Sequence, residues 1–548
     1  MTLLGSLLGR MIRPPGAAPS AAVAGADSPG EGMAAFLRGD LAAAVAVSEA
    51  ALAAAPQDPD VLYLAGVLSY ARGDWDIAIA QLEQALAAGG DKPAYLKDYG
   101  SVLAGVGRHR EGLAMLQRAL ALTPDSAQVH SNLLFVISCC GHVSVDEVYA
   151  AYARFGNDIA DPLLPPRVQH ANAPDPERVL TVGYVSADLR DHAVRYFIEP
   201  VLERHSRDQV RVICYNNGYN NAAAPDAISA RLRALADLWR DIAGMSDAEV
   251  ATRMRDDGVD ILVDLSGHTR GNRLLALALK PAPIQVTWFG AVQTTGMRAI
   301  DWRITDHRLD PVGMTGHLSR ERLARLDDVY ACFRPHPDCP DVGPLPALAA
   351  GSGGGMTFAS FNNTYKINEE VVAMWARLVG GIAGARLRMV VEHGELPDIR
   401  RLVSARFEAH GLDPARLEIA GRQSVSGFLD MCNEVDVLLD PFPQNGGITS
   451  LHALWMGVPV ISLAGAAPIG RIGASLLGLL GLDSFVAHDR EAYVAIARRC
   501  AADTTALSAI RTGLRSRMMA SALMDEVAFV SGLEKTYRRM WREWCDAR

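Results

Sequence analysis

A 34-residue period governs the first third of this chain. Ala44, Ala78 and Gly112 recur at that interval, as do Ser48, Leu82 and Leu116, and again Ala51, Ala85 and Ala119. Gly66 and Gly100 share the spacing, and the helix-breaking positions Pro56, Gly90 and Pro124 fall into it as well. Small residues at fixed places let two antiparallel helices approach closely, larger apolar residues fill their seam, and Pro or Gly ends the second helix. An Ala-rich bundle could show one such column by accident; five agreeing columns argue for a true repeat of helical hairpins.

A helical hairpin repeating every 34 residues is the tetratricopeptide pattern. Such units stack side by side and leave a concave groove suited to holding another polypeptide. The third unit runs into SAQVHSNLLFVISCCGH, which reads as the first helix of a further, capping repeat, and VSVDEVYAAYARFG reads as a helical connector. These signals divide the front of the chain into a flexible segment (1–32), repeats (33–142) and a connector (143–176).

From Val179 the texture changes to short β-branched runs alternating with helical stretches: LTVGYVSAD, VRVICYNNG, VDILVDLSG and PIQVTWFG. A Pro/Gly-rich stretch, RPHPDCPDVGPLPALAAGSGGG, separates these from a second set, MTFASFNN, LRMVVEH, LEIAG, VDVLLD and VPVISLAG. Each set predicts a parallel α/β sheet, and 548 residues are too many for one core. The expected fold is therefore α/β with two lobes, 177–335 and 356–548, joined by a linker at 336–355, the second lobe ending in a closing helix. Ligands of open α/β sheets bind beyond the carboxyl ends of the strands, so facing lobes would form a cleft.

A formal net charge of −9 offers no basic footprint for nucleic acid. The eight cysteines are scattered without CxxC pairs, which fits a reducing compartment. MTLLGSLLGRMIRPPG lacks the basic lead-in of a signal peptide, and no apolar run is long enough to span a bilayer. A cytoplasmic protein with no membrane partner is expected.

The candidate site residues all follow strands. In LLDPFPQNGGITSLHALWMGVPV, Asn445, Gly446 and Gly447 precede a helix beginning near Thr449, where free N–H groups and the helix dipole suit a diphosphate; an ordinary strand-to-helix turn with a capping hydroxyl would read the same way. In SFNNTYKINEE, Lys366 could neutralise a leaving diphosphate, the role a metal takes elsewhere; a lone Lys is otherwise a solvated charge. No convincing DxD metal motif is present, Asp436 lying inside a strand and Asp327-Asp328 forming a loose pair, and no cofactor is expected. In YVSADLRDHAVRYF, Asp188, Asp191 and His192 follow a strand, and His192 could orient or deprotonate an acceptor hydroxyl, or simply cap a helix. Gly267, His268, Thr269 and Arg270, with Gly290, Thr294, Thr295 and Gly296, form loops that could line a sugar pocket or make tight turns.

DLSGHTRGNRL, KPAPIQVTWFG, FNNTYKI, LLDPFPQNGG, LHALWMGVPVISLAG and LEKTYRRMWREWC together resemble the tetratricopeptide-containing protein O-GlcNAc transferases of glycosyltransferase family 41, particularly bacterial members, over nearly the whole chain after its first ~30 residues. The resemblance implies a GT-B fold and inverting, metal-independent transfer of GlcNAc from UDP-GlcNAc to Ser or Thr of polypeptides presented by the repeats. It puts the family's proposed catalytic histidine on His192 and its essential diphosphate lysine on Lys366, with Asn363 and Tyr365 as neighbouring donor contacts. Gln423, Ser424 and Val425 fall on the stretch whose backbone holds the base, Phe428 on a ring that stacks on uracil, and Gly447, Ile448 and Thr449 on the phosphate turn. Three departures stand out: Ala291-Val292-Gln293 where the family has Tyr-Pro-Gly, Ile448 for Thr, and His452 for the acidic residue that holds the ribose. Those departures keep open another donor, GDP-fucose or UDP-glucose, or a scaffold that has lost catalysis.

Overall fold

A computed structural model describes residues 28–218, 226–290, 292–349 and 355–548. The repeat region consists of α1 (Pro29–Arg38), α2 (Leu41–Ala54), α3 (Pro59–Arg72), α4 (Trp75–Gly89), α5 (Pro93–Gly105), α6 (His109–Leu122) and α7 (Ala127–Ile137). The first helix of each of the first three hairpins starts on a proline, where a missing N–H costs nothing. The turns within the hairpins carry Gly39, Gly73 and Gly107, spaced by 34 residues and all at φ near +90°, a conformation a side chain resists. Gly66 and Gly100 serve close approach: a Cβ there would sit 2.7 Å from Leu82 and 2.8 Å from the Gly112 carbonyl.

α7 opens the expected further repeat, and the connector supplies its partner, α8 (Val145–Phe155), which starts on a Ser144/Glu147 capping box. The chain then enters the first lobe: β1 (Leu180–Ser186), α9 (Arg195–Arg204), β2 (Val210–Asn216), α10 (Ala227–Leu235), β3 (Leu238–Asp241), α11 (Asp247–Asp256), β4 (Ile261–Asp264), α12 (Leu274–Ala278), β5 (Ile284–Thr287), β6 (Trp302–Asp306) and β7 (Arg322–Leu326). The second lobe holds β8 (Thr357–Ser360), α13 (Glu369–Gly380), β9 (Arg386–Val390), α14 (Pro397–Glu408), β10 (Leu417–Ala420), α15 (Val425–Cys432), β11 (Val437–Leu439), α16 (Ile448–Trp455), β12 (Val460–Leu463), α17 (Ile472–Leu479) and β13 (Val486–Ala487). It closes with α18 (Arg490–Ala502), α19 (Thr504–Met519) and α20 (Glu526–Asp546).

Both sheets are parallel, ordered β3-β2-β1-β4-β5-β6-β7 and β10-β9-β8-β11-β12-β13. The strand order reverses between β1 and β4 in one lobe and between β8 and β11 in the other, and these switch points are where such sheets bind ligands. This is the two-lobed α/β fold behind a helical array that the sequence predicts. α20 crosses back to the first lobe, where Trp541 Nε1 donates to the Asp175 carbonyl and Tyr537 and Tyr184 pair their hydroxyls at 3.3 Å. One apolar core runs from α1 to α5 through both lobes to α20, so the array is packed into the body of the molecule. Among the described residues no helix is long and apolar enough to cross a membrane.

Candidate active site

Residues after β1, β8, β10 and β11 converge on a cavity of about 390 Å³ between the lobes. His192 and Tyr196 line it from the first lobe; Asn363, Tyr365, Gln423, Ser424, Val425, Phe428, Ile448, Thr449 and His452 line it from the second. Tyr70 and Trp75 of the repeat array complete the wall. Nothing in the motifs marks those two; their signal is positional, since they flank the left-handed Gly73 that turns the hairpin toward the second lobe.

Lys366 ends a 3₁₀ turn, Thr364–Lys366, between β8 and α13. Its Nζ donates to the Asn445 carbonyl, 2.7 Å away. Burial lowers its pKa, and the nearby Asp440 carboxylate works against that shift. Asp440 is fully buried and accepts from Gly446 N–H at 2.6 Å and from the Ser462 hydroxyl at 2.7 Å. Burial pushes its carboxyl up to about 6.

These bonds sharpen the picture of the turn expected to receive a phosphate. Asn445 N–H is spent on the Ile469 carbonyl, its side-chain amide on the Pro441 carbonyl, and Gly446 N–H on Asp440. Asn445 and Gly446 are therefore the frame of the turn, and the amides left for an anion begin at Gly447. α16 starts directly after Gly447 with no side-chain cap, so the N–H groups of its first turn have no partner within the helix. Gly446 must be glycine, because a Cβ would lie 2.5 Å from Ser450 Oγ and 2.9 Å from Asp440 Oδ1.

On the other wall of the cavity, Ser424 caps α15 by accepting from Gly427 N–H, and Gln423 Nε2 donates to the Gly421 carbonyl. The Phe428 ring stands edge-on to Phe361 and lies 6.0 Å from the His452 ring. His452 is 4% exposed and also meets Tyr196 edge-on at 4.7 Å. Burial pushes its imidazole down to about 3, so it is neutral, and its Nε2 has no hydrogen-bond partner. Asn362 Nδ2 and Thr364 Oγ1 are likewise buried without partners. Buried polar atoms are rarely left unpaired unless a ligand or water takes them up. Three in one cavity wall make a polar ligand the natural occupant.

His192 is 24% exposed at the mouth of this cavity. Its Nδ1 accepts from Val194 N–H at 3.3 Å, which leaves the proton of the neutral ring on Nε2. Burial holds its pKa below the ordinary value, against the pull of Asp188, whose Oδ2 lies 3.9 Å from Nδ1. Asp188 itself pairs with Arg190.

The remaining loops of the first lobe go elsewhere. His268 and Thr269 line a second cavity of about 380 Å³ between α7 and the first lobe. His268 Nε2 donates to the Thr295 carbonyl and its Nδ1 accepts from the Ser131 hydroxyl, with Phe155 and Tyr152 edge-on to the ring. Gly267 gives its N–H to Asp264, and Thr269 gives its hydroxyl to the Ser266 carbonyl. Gly290 passes so close to β4 that a Cβ would meet the Leu265 carbonyl at 2.0 Å. Thr294 and Thr295 both donate their hydroxyls to buried Glu321. Gln293 reaches the Ser138 hydroxyl, and Ala291 lies outside the described residues. The hydroxyls that could line a sugar pocket are thus engaged in internal hydrogen bonds, Thr269 within its own turn and Thr294 and Thr295 with Glu321.

Comparison with known proteins follows the same division of the chain. The family described as glycosyl transferase family 41 matches residues 160–333 and 352–533, and a tetratricopeptide repeat family matches 35–101. The probable UDP-N-acetylglucosamine–peptide N-acetylglucosaminyltransferase SPINDLY of Petunia hybrida is 36% identical over 426 residues, 78% of this chain and 45% of that protein. The UDP-N-acetylglucosamine–peptide N-acetylglucosaminyltransferase of Caenorhabditis elegans is 23% identical over 478 residues, 67% of this chain and 41% of its own. The chain spans less than half the length of these curated relatives. A solved structure of Thermobaculum terrenum O-GlcNAc transferase, a lysine-to-methionine mutant, is 35% identical with a TM-score of 0.87, covering 100% of this chain and 99% of that one.

Proposed function

The chain belongs to glycosyl transferase family 41, and on that footing we propose that it transfers GlcNAc from UDP-GlcNAc to Ser or Thr hydroxyls of polypeptides, with inversion and without a metal. The observation that carries this reading is the Lys366 ammonium bonded to the turn that leads into the uncapped start of α16; its neighbour Tyr365 and the helix's first residue, Ile448, both line a cavity whose wall holds unpartnered His452, Asn362 and Thr364 atoms. A diphosphate seated there meets a positive charge, the helix dipole and free amides together. Phe428 offers a face to the base, and the Nε2 of His452 a partner to a ribose hydroxyl.

In the reaction the acceptor oxygen forms a bond to the anomeric carbon while the bond from that carbon to the β-phosphate oxygen breaks. Negative charge grows on the departing diphosphate, and Lys366 stabilises it where it develops. His192, protonated on Nε2, orients the acceptor rather than removing its proton, which passes to a phosphate oxygen of the donor. The repeat groove presents the polypeptide. All eight cysteines are free, which supports a cytoplasmic setting.

A GDP-linked sugar is the second reading, kept because the stretches expected to hold the donor depart from the family pattern at Ala291-Val292-Gln293, Ile448 and His452. A thermal-shift panel of UDP, UDP-GlcNAc, UDP-glucose, GDP and GDP-fucose separates them. Stabilisation by UDP and UDP-GlcNAc supports the assignment; stabilisation by GDP alone overturns it, and no response to any of the five supports a scaffold without catalysis.

A further inference from the structure

The turn that carries Lys366 is held from outside its own lobe. His109, the first residue of α6, places Nε2 2.5 Å from the Tyr365 carbonyl. Phe135 of α7 packs its ring on the Tyr365 ring, centroids 4.8 Å apart. The Cys139 carbonyl accepts from Asn368 Nδ2 at 3.0 Å, and the same amide donates to the Phe442 carbonyl at 2.8 Å. The Arg406 guanidinium of α14 donates to the Ile367 carbonyl at 2.8 Å and reaches the Gly107 carbonyl at 3.5 Å. Every residue from Tyr365 to Asn368 except Lys366 is therefore fixed by, or shared with, the repeat array, and Lys366 is the one left to face the diphosphate turn.

The Lys366 ammonium is held at two ends, by the backbone turn that carries it and by its bond to the Asn445 carbonyl. A carbonyl without its donor in this buried seam costs free energy, and the turn relaxes to recover it. A shift of about 1 Å takes an ammonium out of hydrogen-bond distance of an anion it would otherwise contact.

We propose that the repeat array is part of the diphosphate site, with His109 as a positioning residue that sets Lys366 through the Tyr365 carbonyl. This rests on Lys366 as the diphosphate lysine. It gives the array a second task beside holding polypeptide: a displacement of α6 and α7 is transmitted to the donor lobe.

Calorimetric titration of the full chain with UDP tests this, because UDP binding involves no acceptor and is untouched by a groove that only holds polypeptide. The variants are Lys366→Met, His109→Ala, His109→Gln, Phe135→Leu and, as a control, Asp76→Ala, which removes the 2.7 Å Arg401–Asp76 ion pair, a contact between array and second lobe that bonds no atom of residues 364–368. A lost charge-assisted contact predicts that Lys366→Met and His109→Ala weaken UDP by about tenfold or more. His109→Gln, whose amide can still donate to Tyr365, stays within about threefold of the parent on the same scale. Asp76→Ala binds as the parent does. Phe135→Leu, which keeps an apolar side chain, weakens UDP in the same direction and serves if His109→Ala does not fold. Parental affinity in His109→Ala or Phe135→Leu beside weakened Lys366→Met overturns the proposal, as does an equal loss in Asp76→Ala. Parental affinity in Lys366→Met overturns the reading beneath it instead.

Discussion

Lys366 Nζ donates to the main-chain carbonyl of Asn445 across 2.7 Å, tying the loop after β8 to the loop after β11 at the point where the strand order of the second sheet reverses. The bond does more than satisfy a carbonyl. It holds the ammonium against the turn that leads into α16, so that an anion arriving at that turn meets a charge already in place and a helix dipole close by.

Lys366→Met keeps the stem and removes the charge. Turnover should fall by about 10²–10³-fold or more, in the range seen when a preorganised donor to a developing negative charge is deleted, while the melting temperature stays within a few degrees. Steady-state transfer assays with a melting curve on the same preparation check both.

His452→Phe fills the same space without a polar atom. Nucleotide affinity should drop by about 1–3 kcal/mol, the worth of one buried hydrogen bond to a ligand, and the apo protein should become no less stable, because Nε2 has no partner to lose. Calorimetry with UDP, set beside chemical denaturation of the apo protein, reads the two effects separately.

Asp440 predicts opposite pH trends for function and stability. Its folded pKa, about 6, lies above the ordinary 3.8, so between those values the folded state binds more protons than the unfolded one. This group alone therefore stabilises the fold as pH falls through that window. The added proton, however, weakens an acceptor used by Gly446 and Ser462 and removes the charge facing Lys366. Activity should show an acid limb near pH 6 that flattens in Asp440→Asn; an unchanged limb in that variant assigns it to another group.

His268 predicts the reverse sign. Burial pushes it down to about 4 from 6.5, so the unfolded chain binds the extra proton first, and stability present above pH 6.5 is lost as pH falls toward 4. His268→Phe should remove that dependence and cost about 1–3 kcal/mol through the unpaired Ser131 hydroxyl and Thr295 carbonyl. Denaturation midpoints at pH 7 and pH 5, compared between parent and variant, measure this.

Much of the architecture is legible in the sequence because it depends on local pattern. The 34-residue columns encode close helix contact at Gly66 and Gly100, and the nine apolar runs read as strands are β1, β2, β4, β5 and β8 to β12. The strands not read, β3, β6, β7 and β13, are short or carry charges, as in LWRD, WRITD and RLARL, so their texture resembles loop. The switch-point loops that carry the candidate site residues are legible for the same reason: strand, turn and helix follow in order. Whether a hydroxyl faces a cleft or a buried carboxylate is decided by residues far along the chain. Thr294 and Thr295 turn to Glu321 and His268 to Ser131 across 137 positions, and no local pattern announces either. The contribution of Tyr70, Trp75 and His109 was hidden similarly, since it depends on how the array packs on the second lobe.

The claim at the centre is that the site built around Lys366 and the adjoining cleft transfers GlcNAc from UDP-GlcNAc to polypeptide hydroxyls. Its most direct test incubates the protein with labelled UDP-GlcNAc and a cell lysate, then maps the modified residues by mass spectrometry, with Lys366→Met alongside. The account predicts N-acetylhexosamine on Ser or Thr with the parent and none with the variant. Modification by a deoxyhexose from GDP-fucose with no transfer from UDP-GlcNAc, or equal labelling by Lys366→Met, would contradict it.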